Sequence, residues 1–183
     1  LWELLKAGVP QRWILPLIHG HFGQIKFSLH GQSLFVSLIA RRSRFYAGAR
    51  FLKRGINEQG FVGNDVENEQ IVSDTTCGEI DLARVSSFVQ VRGSIPLFWS
   101  QLFNVATPKP MILIDKIDPF YNSAVLHFED LLSRFDSPIT ILNLVKVHEK
   151  VPREVKLVAP FTECIQTINT SLRNEDKVAL VNW

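Results

Sequence analysis

The stretch RRSRFYAGARFLKRG, residues 41–55, concentrates positive charge in a way that could bind an anion. It has no acidic residue and six basic ones: Arg41, Arg42, Arg44, Arg50, Lys53 and Arg54. The whole chain carries 20 Lys and Arg residues against 18 Asp and Glu, and without these six cations the balance is 14 against 18. The chain is therefore a mildly acidic body with one cationic segment, which does not describe a generally basic nucleic-acid-binding protein.

A β-strand through this segment would separate its charged and apolar side chains onto opposite faces. One face would hold four cations: Arg42, Arg44, Arg50 and Arg54. A solvated edge strand is one interpretation, because Lys and Arg protect sheet edges. An anionic membrane is another, since each cation near the surface contributes about 1 kcal/mol. Nucleic acid is the weaker alternative, because Phe45 and Phe51 alternate away from the arginines and offer the bases no stacking surface beside them.

A second anion pocket is suggested by the strand-end sequence VQVRGSIP. Arg92 ends a strand, Gly93 permits a tight turn, and Ser94 offers a hydroxyl. Asp115 and Asp118 follow another short strand, where they could face a ligand crevice or cap a turn.

Neither cysteine has the surroundings of a phosphatase nucleophile. Such a thiolate needs an Arg after five intervening residues, so that loop amides and the guanidinium meet one phosphate. Six residues separate Cys77 from Arg84, and Thr170 holds that place after Cys164. Two cysteines do not form a disulfide framework, which favours a reducing compartment. The five histidines and two cysteines show no spacing typical of a metal site.

The elements of the first half read as antiparallel strands. Alternation predicts a hairpin of strands at 25–29 and 34–39, followed by the basic strand. Return strands are predicted at 66–72 and 86–92, with a polar loop at 73–84 between them. No apolar run approaches the ~20 residues of a membrane span.

The second half alternates strands with helices. Short strands are predicted at 111–114, 139–145 and 177–183, the middle one covered on both faces. Helical spacing predicts a helix over 121–135 and another over 152–172, interrupted at Pro160. The fold class expected is α/β with α+β character: an antiparallel β-rich first half leading into a parallel β-α-β-α-β unit of a mixed sheet.

Several of these segments, in this order, resemble the Sac-domain phosphoinositide phosphatases. They are RRSRFYAGARFLKRGINEQGFVGNDVENEQIV, SFVQVRGSIPLFWSQ, PKPMILIDKIDPFYNSAVLHF and SPITILNLVK. The combination of HGHFGQ, LIARRSRF, FLKRG, PKP and LNLVKVHEK is most similar to the endolysosomal, or vacuolar, branch. Asn68 stands where the family usually has Thr, and the family's Cys-x5-Arg-Thr catalytic loop does not occur in these 183 residues.

The resemblance implies that residues 1–24 are the end of an N-terminal Sac subdomain or a linker. Residues 25–183 would then be the first half of the Sac catalytic domain, incomplete at the C-terminus. It implies hydrolysis of an inositol-ring phosphate through a cysteinyl-phosphate in the full-length protein, the ring phosphate being the 5-phosphate of phosphatidylinositol 3,5-bisphosphate. No metal or cofactor is implied, and these residues alone are expected to be inactive.

The implied location is peripheral, on the cytoplasmic side of endosomal, lysosomal or vacuolar membranes. The partners would be a phosphoinositide head group and an anionic membrane surface, with a lipid kinase and a scaffold protein, and no nucleic acid. Five residues are expected to bind substrate or membrane electrostatically: Arg42, Arg44, Arg50, Arg54 and Arg92. The alternative is a non-catalytic Sac-like scaffold or lipid-binding module of a lipid kinase and phosphatase complex.

Overall fold

The computed structural model of the protein describes residues 6–8, 10, 17–43, 54–74, 84–101 and 110–183. They divide into two compact units. The first contains the described residues within 1–47 and 65–92, and the second those within 48–64 and 93–183.

The first unit is a four-stranded antiparallel sheet in the order β1-β2-β3-β4. Its strands are Leu17–Leu29, Gln32–Ser43, Val66–Asp74 and Val85–Arg92. Strands β1 and β2 form the predicted hairpin, which turns through two residues of positive φ, His30 at 49° and Gly31 at 80°. Such left-handed two-residue turns match the twist of paired strands. Both strands are longer than predicted, since the apolar pattern covers only residues 25–29 of β1 and 34–39 of β2.

The basic segment belongs only in part to this sheet. Strand β2 continues to Ser43 and so includes Arg41 and Arg42. Residues 44–53 lie outside the described residues, and the predicted basic strand stays a prediction there. The return strands β3 and β4 are confirmed, with β3 extending to Asp74; most of the polar loop predicted between them, residues 75–83, also lies outside.

The second unit contains two short strand pairs and two helices. Strand β5 (Trp99–Gln101) pairs antiparallel with β6 (Ile112–Ile114), and β7 (Thr140–Asn143) pairs parallel with β8 (Ala179–Asn182). Parallel pairing is therefore confirmed for β7 and β8. The sequence places β6 in the same parallel unit, whereas its hydrogen-bonded partner among the described residues is the preceding strand.

The helices of the second unit supply half of the buried apolar side chains described there. Helix α1 (Asn122–Phe135) confirms the predicted helix. Helix α2 (Val158–Ser171) follows a 3-10 turn at Glu154–Leu157. Pro160 does not interrupt α2, because it lies in the first turn, where an amide has no partner within the helix. Seven of the core side chains among the described residues come from the two helices: Ala124, Phe128, Leu131, Phe161, Cys164, Ile165 and Ile168.

The side-chain amide of one residue in α2 connects the helix to the segment before β8, through both its oxygen and its NH2 group. The Asn169 side chain accepts a hydrogen bond from the Val178 N–H and donates one to the Val178 carbonyl, each at 2.9 Å.

Leu142 of β7 is 53% exposed, so the described residues cover only one face of the pair of β7 and β8, where the sequence predicts two covered faces. In the described ranges, no helix is long and apolar enough to cross a membrane.

Candidate anion-binding site

Two of the predicted arginines lie on the same face of the four-stranded sheet. Arg42 of β2 and Arg92 of β4 are each the register partner of Val66 on β3. Directly opposed residues of neighbouring strands point to the same face. With strands about 4.8 Å apart, the two Cα atoms are roughly 10 Å from each other. We call these two residues the arginine pair.

Neither member of the arginine pair is neutralised within the sheet. In the part of the chain that the structure describes, their guanidinium groups have no hydrogen bond or ion pair, while Val66 between them is only 4% exposed. A guanidinium has five N–H donors in a fork that fits two oxygens of a phosphate or carboxylate. Two such forks on either side of a small apolar residue form a cationic position for an anion.

Arg41, next to this pair in sequence, faces the other way and is neutralised. Its guanidinium donates to the Glu67 carboxylate at 2.9 Å and to the Glu69 carboxylate at 2.6 Å. The hydrogen bond from Arg41 holds the pKa of Glu69 below its ordinary value. The basic segment contains no acid of its own, but β3 brings two acids to it. The alternation of Glu67 and Glu69 in VENEQIV is the signal that sequence reasoning missed.

The other three predicted residues fall either in the second unit or outside the described residues. Arg54 belongs to the second unit, where its Nε donates to the Gln101 side-chain oxygen at 3.2 Å. Arg44 and Arg50 lie outside the described residues. Their part in anion binding stays a prediction.

The hydroxyl of Ser94 has a structural partner. It accepts a hydrogen bond from the Gly55 N–H at 2.8 Å, and the Ser94 N–H donates to the Gly63 carbonyl at 2.9 Å. These two bonds fix the turn that Ile56 and Val62 close by a β-bridge. Ser94 therefore holds backbone in the second unit; because its hydroxyl serves here as an acceptor, its O–H remains able to donate, and a part in anion binding stays a prediction.

The two aspartates beyond β6 also serve the backbone and its neighbours. Asp115 accepts a hydrogen bond from the Ser100 hydroxyl at 2.7 Å. Asp118 accepts one from the Ser123 N–H at 3.3 Å, in the first turn of α1. Asp118 is therefore bound to backbone at the start of α1, although the N-cap residue of that helix is Tyr121.

Cys164 is inert where it lies. Its side chain is fully buried on α2, and burial raises the pKa of its thiol to about 12. A thiol with that pKa supplies almost no thiolate at neutral pH. Cys77 lies outside the described residues. Among the residues that the structure describes, no group of His, Cys, Asp and Glu is arranged to hold a metal ion.

The sequence of the chain matches a known protein family. Residues 3–183 match the SacI homology domain. The chain belongs to the SacI homology domain family. The resemblance seen in its motifs is thereby confirmed, and the family match extends over both the sheet with the arginine pair and the second unit.

Named members of the SacI homology domain family are similar over most of the chain. Phosphatidylinositol-3-phosphatase SAC1 of Arabidopsis thaliana is 47% identical over 171 residues, covering 93% of the chain and 19% of that protein. The polyphosphoinositide phosphatase of Schizosaccharomyces pombe is 45% identical over 194 residues, covering all of the chain and 23% of that protein. The chain thus spans about a fifth of the length of these relatives.

Proposed function

We propose that the chain is part of a phosphoinositide phosphatase, an enzyme that hydrolyses a phosphate monoester on the inositol ring of a lipid. The family match over residues 3–183 carries this proposal, because the relatives that match almost the whole chain are named as phosphatases of phosphoinositides. The activity is proposed for the intact protein, since the chain corresponds to only about a fifth of those relatives.

The role proposed for this part of the protein is electrostatic. The arginine pair would bind a phosphate of the head group or the anionic membrane that carries it, with its guanidinium N–H groups donating to phosphate oxygens. In the intact enzyme a cysteine thiolate would attack phosphorus and the inositol oxygen would leave; water would then hydrolyse the cysteinyl-phosphate. Cys164 is not that nucleophile, because its thiol is buried and its pKa is about 12.

The substrate proposed is phosphatidylinositol 3,5-bisphosphate, with loss of its 5-phosphate. The similarity of five motifs together to the endolysosomal branch supports this choice: HGHFGQ, LIARRSRF, FLKRG, PKP and LNLVKVHEK. The relatives' names point to different specificities: one names a 3-phosphatase and the other a polyphosphoinositide phosphatase. We further propose that the protein acts peripherally on the cytoplasmic side of endosomal, lysosomal or vacuolar membranes, in a complex with a lipid kinase and a scaffold protein.

The experiment is a turnover assay of the intact protein on vesicles containing one phosphoinositide at a time. Phosphate release from phosphatidylinositol 3,5-bisphosphate, with phosphatidylinositol 3-phosphate as product, is the expected result. Vesicle binding without turnover of any phosphoinositide would favour the non-catalytic scaffold instead. Turnover that leaves the 5-phosphate in place would contradict the substrate assignment while keeping the family's chemistry.

A further inference from the structure

Two shallow cavities, both open to solvent, lie beside the loop that leaves strand β7, residues 144–153, which we call the β7 loop. One cavity of about 440 Å³ is lined by His148, Glu149, Lys150 and two valines. A neighbouring cavity of about 290 Å³ shares the first three residues and adds Lys146 and Arg153. The loop begins at the carboxyl end of β7, beside the carboxyl end of the parallel strand β8. Ligands of open parallel sheets bind at this end of the strands.

The start of the β7 loop is held to both strands by one buried amide. Asn143 is 3% exposed, and its side chain donates to the Asn182 side-chain oxygen at 2.8 Å. The Asn143 side-chain oxygen accepts a hydrogen bond from the Val145 N–H at 3.1 Å, and its carbonyl accepts one from the Trp183 N–H at 3.1 Å. The loop therefore has a defined position relative to the strand ends.

The two acids of this region bind backbone amides. The Glu149 carboxylate accepts hydrogen bonds from the N–H groups of Arg153 at 2.9 Å and Val155 at 3.1 Å. The Glu154 carboxylate accepts one from the Lys146 N–H at 3.4 Å. Both acids thus stabilise the turn itself, and neither forms an ion pair with a cation of the loop.

The cations of the β7 loop have no such partners. Across the described ranges, the side chains of Lys146, Lys150 and Arg153 form no ion pair. The Nε–H of Arg153 is buried and has no hydrogen-bond acceptor. A buried donor without an acceptor is unfavourable, and a buried one in a native protein calls for an explanation. An oxygen of a bound anion would satisfy it.

We propose that the β7 loop is a second anion-binding site that takes a phosphate group. Arg153 Nε–H and the ammonium groups of Lys146 and Lys150 donate to the phosphate oxygens, and His148 lines the same cavity. A phosphate monoester and inorganic phosphate present the same oxygens, so either source fits the chemistry. The residues of this site belong to the second unit and those of the arginine pair to the first, and the proposal does not depend on the proposed catalytic activity.

The test compares phosphate binding by the intact protein and two matched double variants, using calorimetry. The first variant, Lys146→Gln with Lys150→Gln, removes two exposed cations of the loop. The control, Lys156→Gln with Lys177→Gln, removes two exposed lysines that line neither cavity. We expect the loop variant to bind phosphate about tenfold more weakly or worse, and the control to stay within about twofold of wild type.

Three probes separate the sources of the phosphate: inorganic phosphate, a soluble inositol trisphosphate, and phosphatidylcholine vesicles containing a phosphoinositide. Loop-dependent binding of inorganic phosphate shows that free phosphate suffices, and loop-dependent binding of the inositol probes alone assigns a head group. Arg153→Lys, which keeps the charge and removes the Nε–H, should also weaken binding. Equal affinities in wild type and loop variant for every probe, or an equal loss in the control, would overturn the proposal. Because the readout is binding, a failure here is distinct from an absence of turnover.

Discussion

Arg42 and Arg92 lie on the same face of one sheet, each directly opposite Val66, although they are fifty positions apart in the chain. Two antiparallel registers produce this arrangement, because each strand pairing keeps opposed residues on a common face. The cationic site is thus created by strand pairing across β3, and only one of its two arginines comes from the basic segment.

The first prediction concerns binding of the intact protein to anionic vesicles. Replacing both Arg42 and Arg92 by Gln should weaken binding by about thirtyfold at low ionic strength, because each cation contributes about 1 kcal/mol near an anionic surface. At about 1 M salt the difference from wild type should nearly vanish, since the Debye length falls to about 3 Å. Vesicle cosedimentation across a salt series measures both effects.

A charge-matched control comes from the second unit. Arg173 and Lys177 are exposed residues there, and replacing both by Gln removes the same formal charge. This control should bind vesicles nearly as wild type does. If both double variants lose binding equally, net charge explains the effect and the arginine pair has no special role.

Much of the fold follows from local patterns in the sequence. Alternation at residues 25–29 located part of β1, although Ile25, Phe27 and Leu29 are exposed in the structure. Helical spacing located α1, because one face of that helix is buried. Pairing partners were harder to predict. The β6 strand has three residues, too few for its pattern to distinguish a parallel from an antiparallel neighbour. Pro160 lies in the first turn of α2 because the 3-10 turn ends at Leu157 and the helix begins at Val158. Hydrophobic periodicity does not show at which residue a helix begins.

The candidate sites were predictable only in part, because charge in a sequence does not show which partner each charge finds. Arg41 and Arg42 are adjacent and chemically alike, yet β3 supplies acids to the face of Arg41 and an apolar residue to that of Arg42. The β7 loop shows the converse. Its sequence KVHEK mixes charges, and only the hydrogen bonds of Glu149 to backbone amides reveal that its cations are not paired.

The second prediction is that the 183-residue chain alone has no phosphatase activity. Cys164 is buried with a thiol pKa of about 12, and the residue after its five following positions is Thr170 in place of Arg. Cys77 likewise lacks an Arg at that spacing. Release of phosphate from a panel of phosphoinositides should equal the blank. Measurable turnover that disappears in Cys77→Ser or Cys164→Ser would show that a nucleophile lies within these residues.

A third prediction concerns stability at acid pH. Burial lowers the pKa of His127 from 6.5 to about 4, against a hydrogen bond with the Gly60 backbone that favours the charged form. Between these pH values the unfolded chain binds more protons than the folded one. The free energy of unfolding should therefore fall as the pH drops from about 6.5 to 4, by about 3 kcal/mol, and this contribution should be constant above 6.5.

Denaturant unfolding at a series of pH values measures this slope. His127→Asn should flatten the part of the curve between pH 6.5 and 4, whatever it does to stability at neutral pH. Replacing the exposed His21 by Gln should leave the slope as in wild type. An unchanged slope in His127→Asn would show that this imidazole is not what makes the fold acid-sensitive.

The fourth prediction separates two costs of a side chain at glycine positions with positive φ. Gly55, at +71°, has no room for a Cβ, which would lie 2.7 Å from the carbonyl oxygens of Leu97 and Trp99. Gly31, at +80°, has nothing within 4 Å of that position. Gly31→Ala should therefore destabilise by the left-handed backbone alone, about 1–2 kcal/mol, whereas Gly55→Ala should cost more, since backbone must move as well. Chemical denaturation of both variants measures the difference; equal losses would mean that the contact of Gly55 with the two carbonyls does not constrain the turn that Ser94 holds.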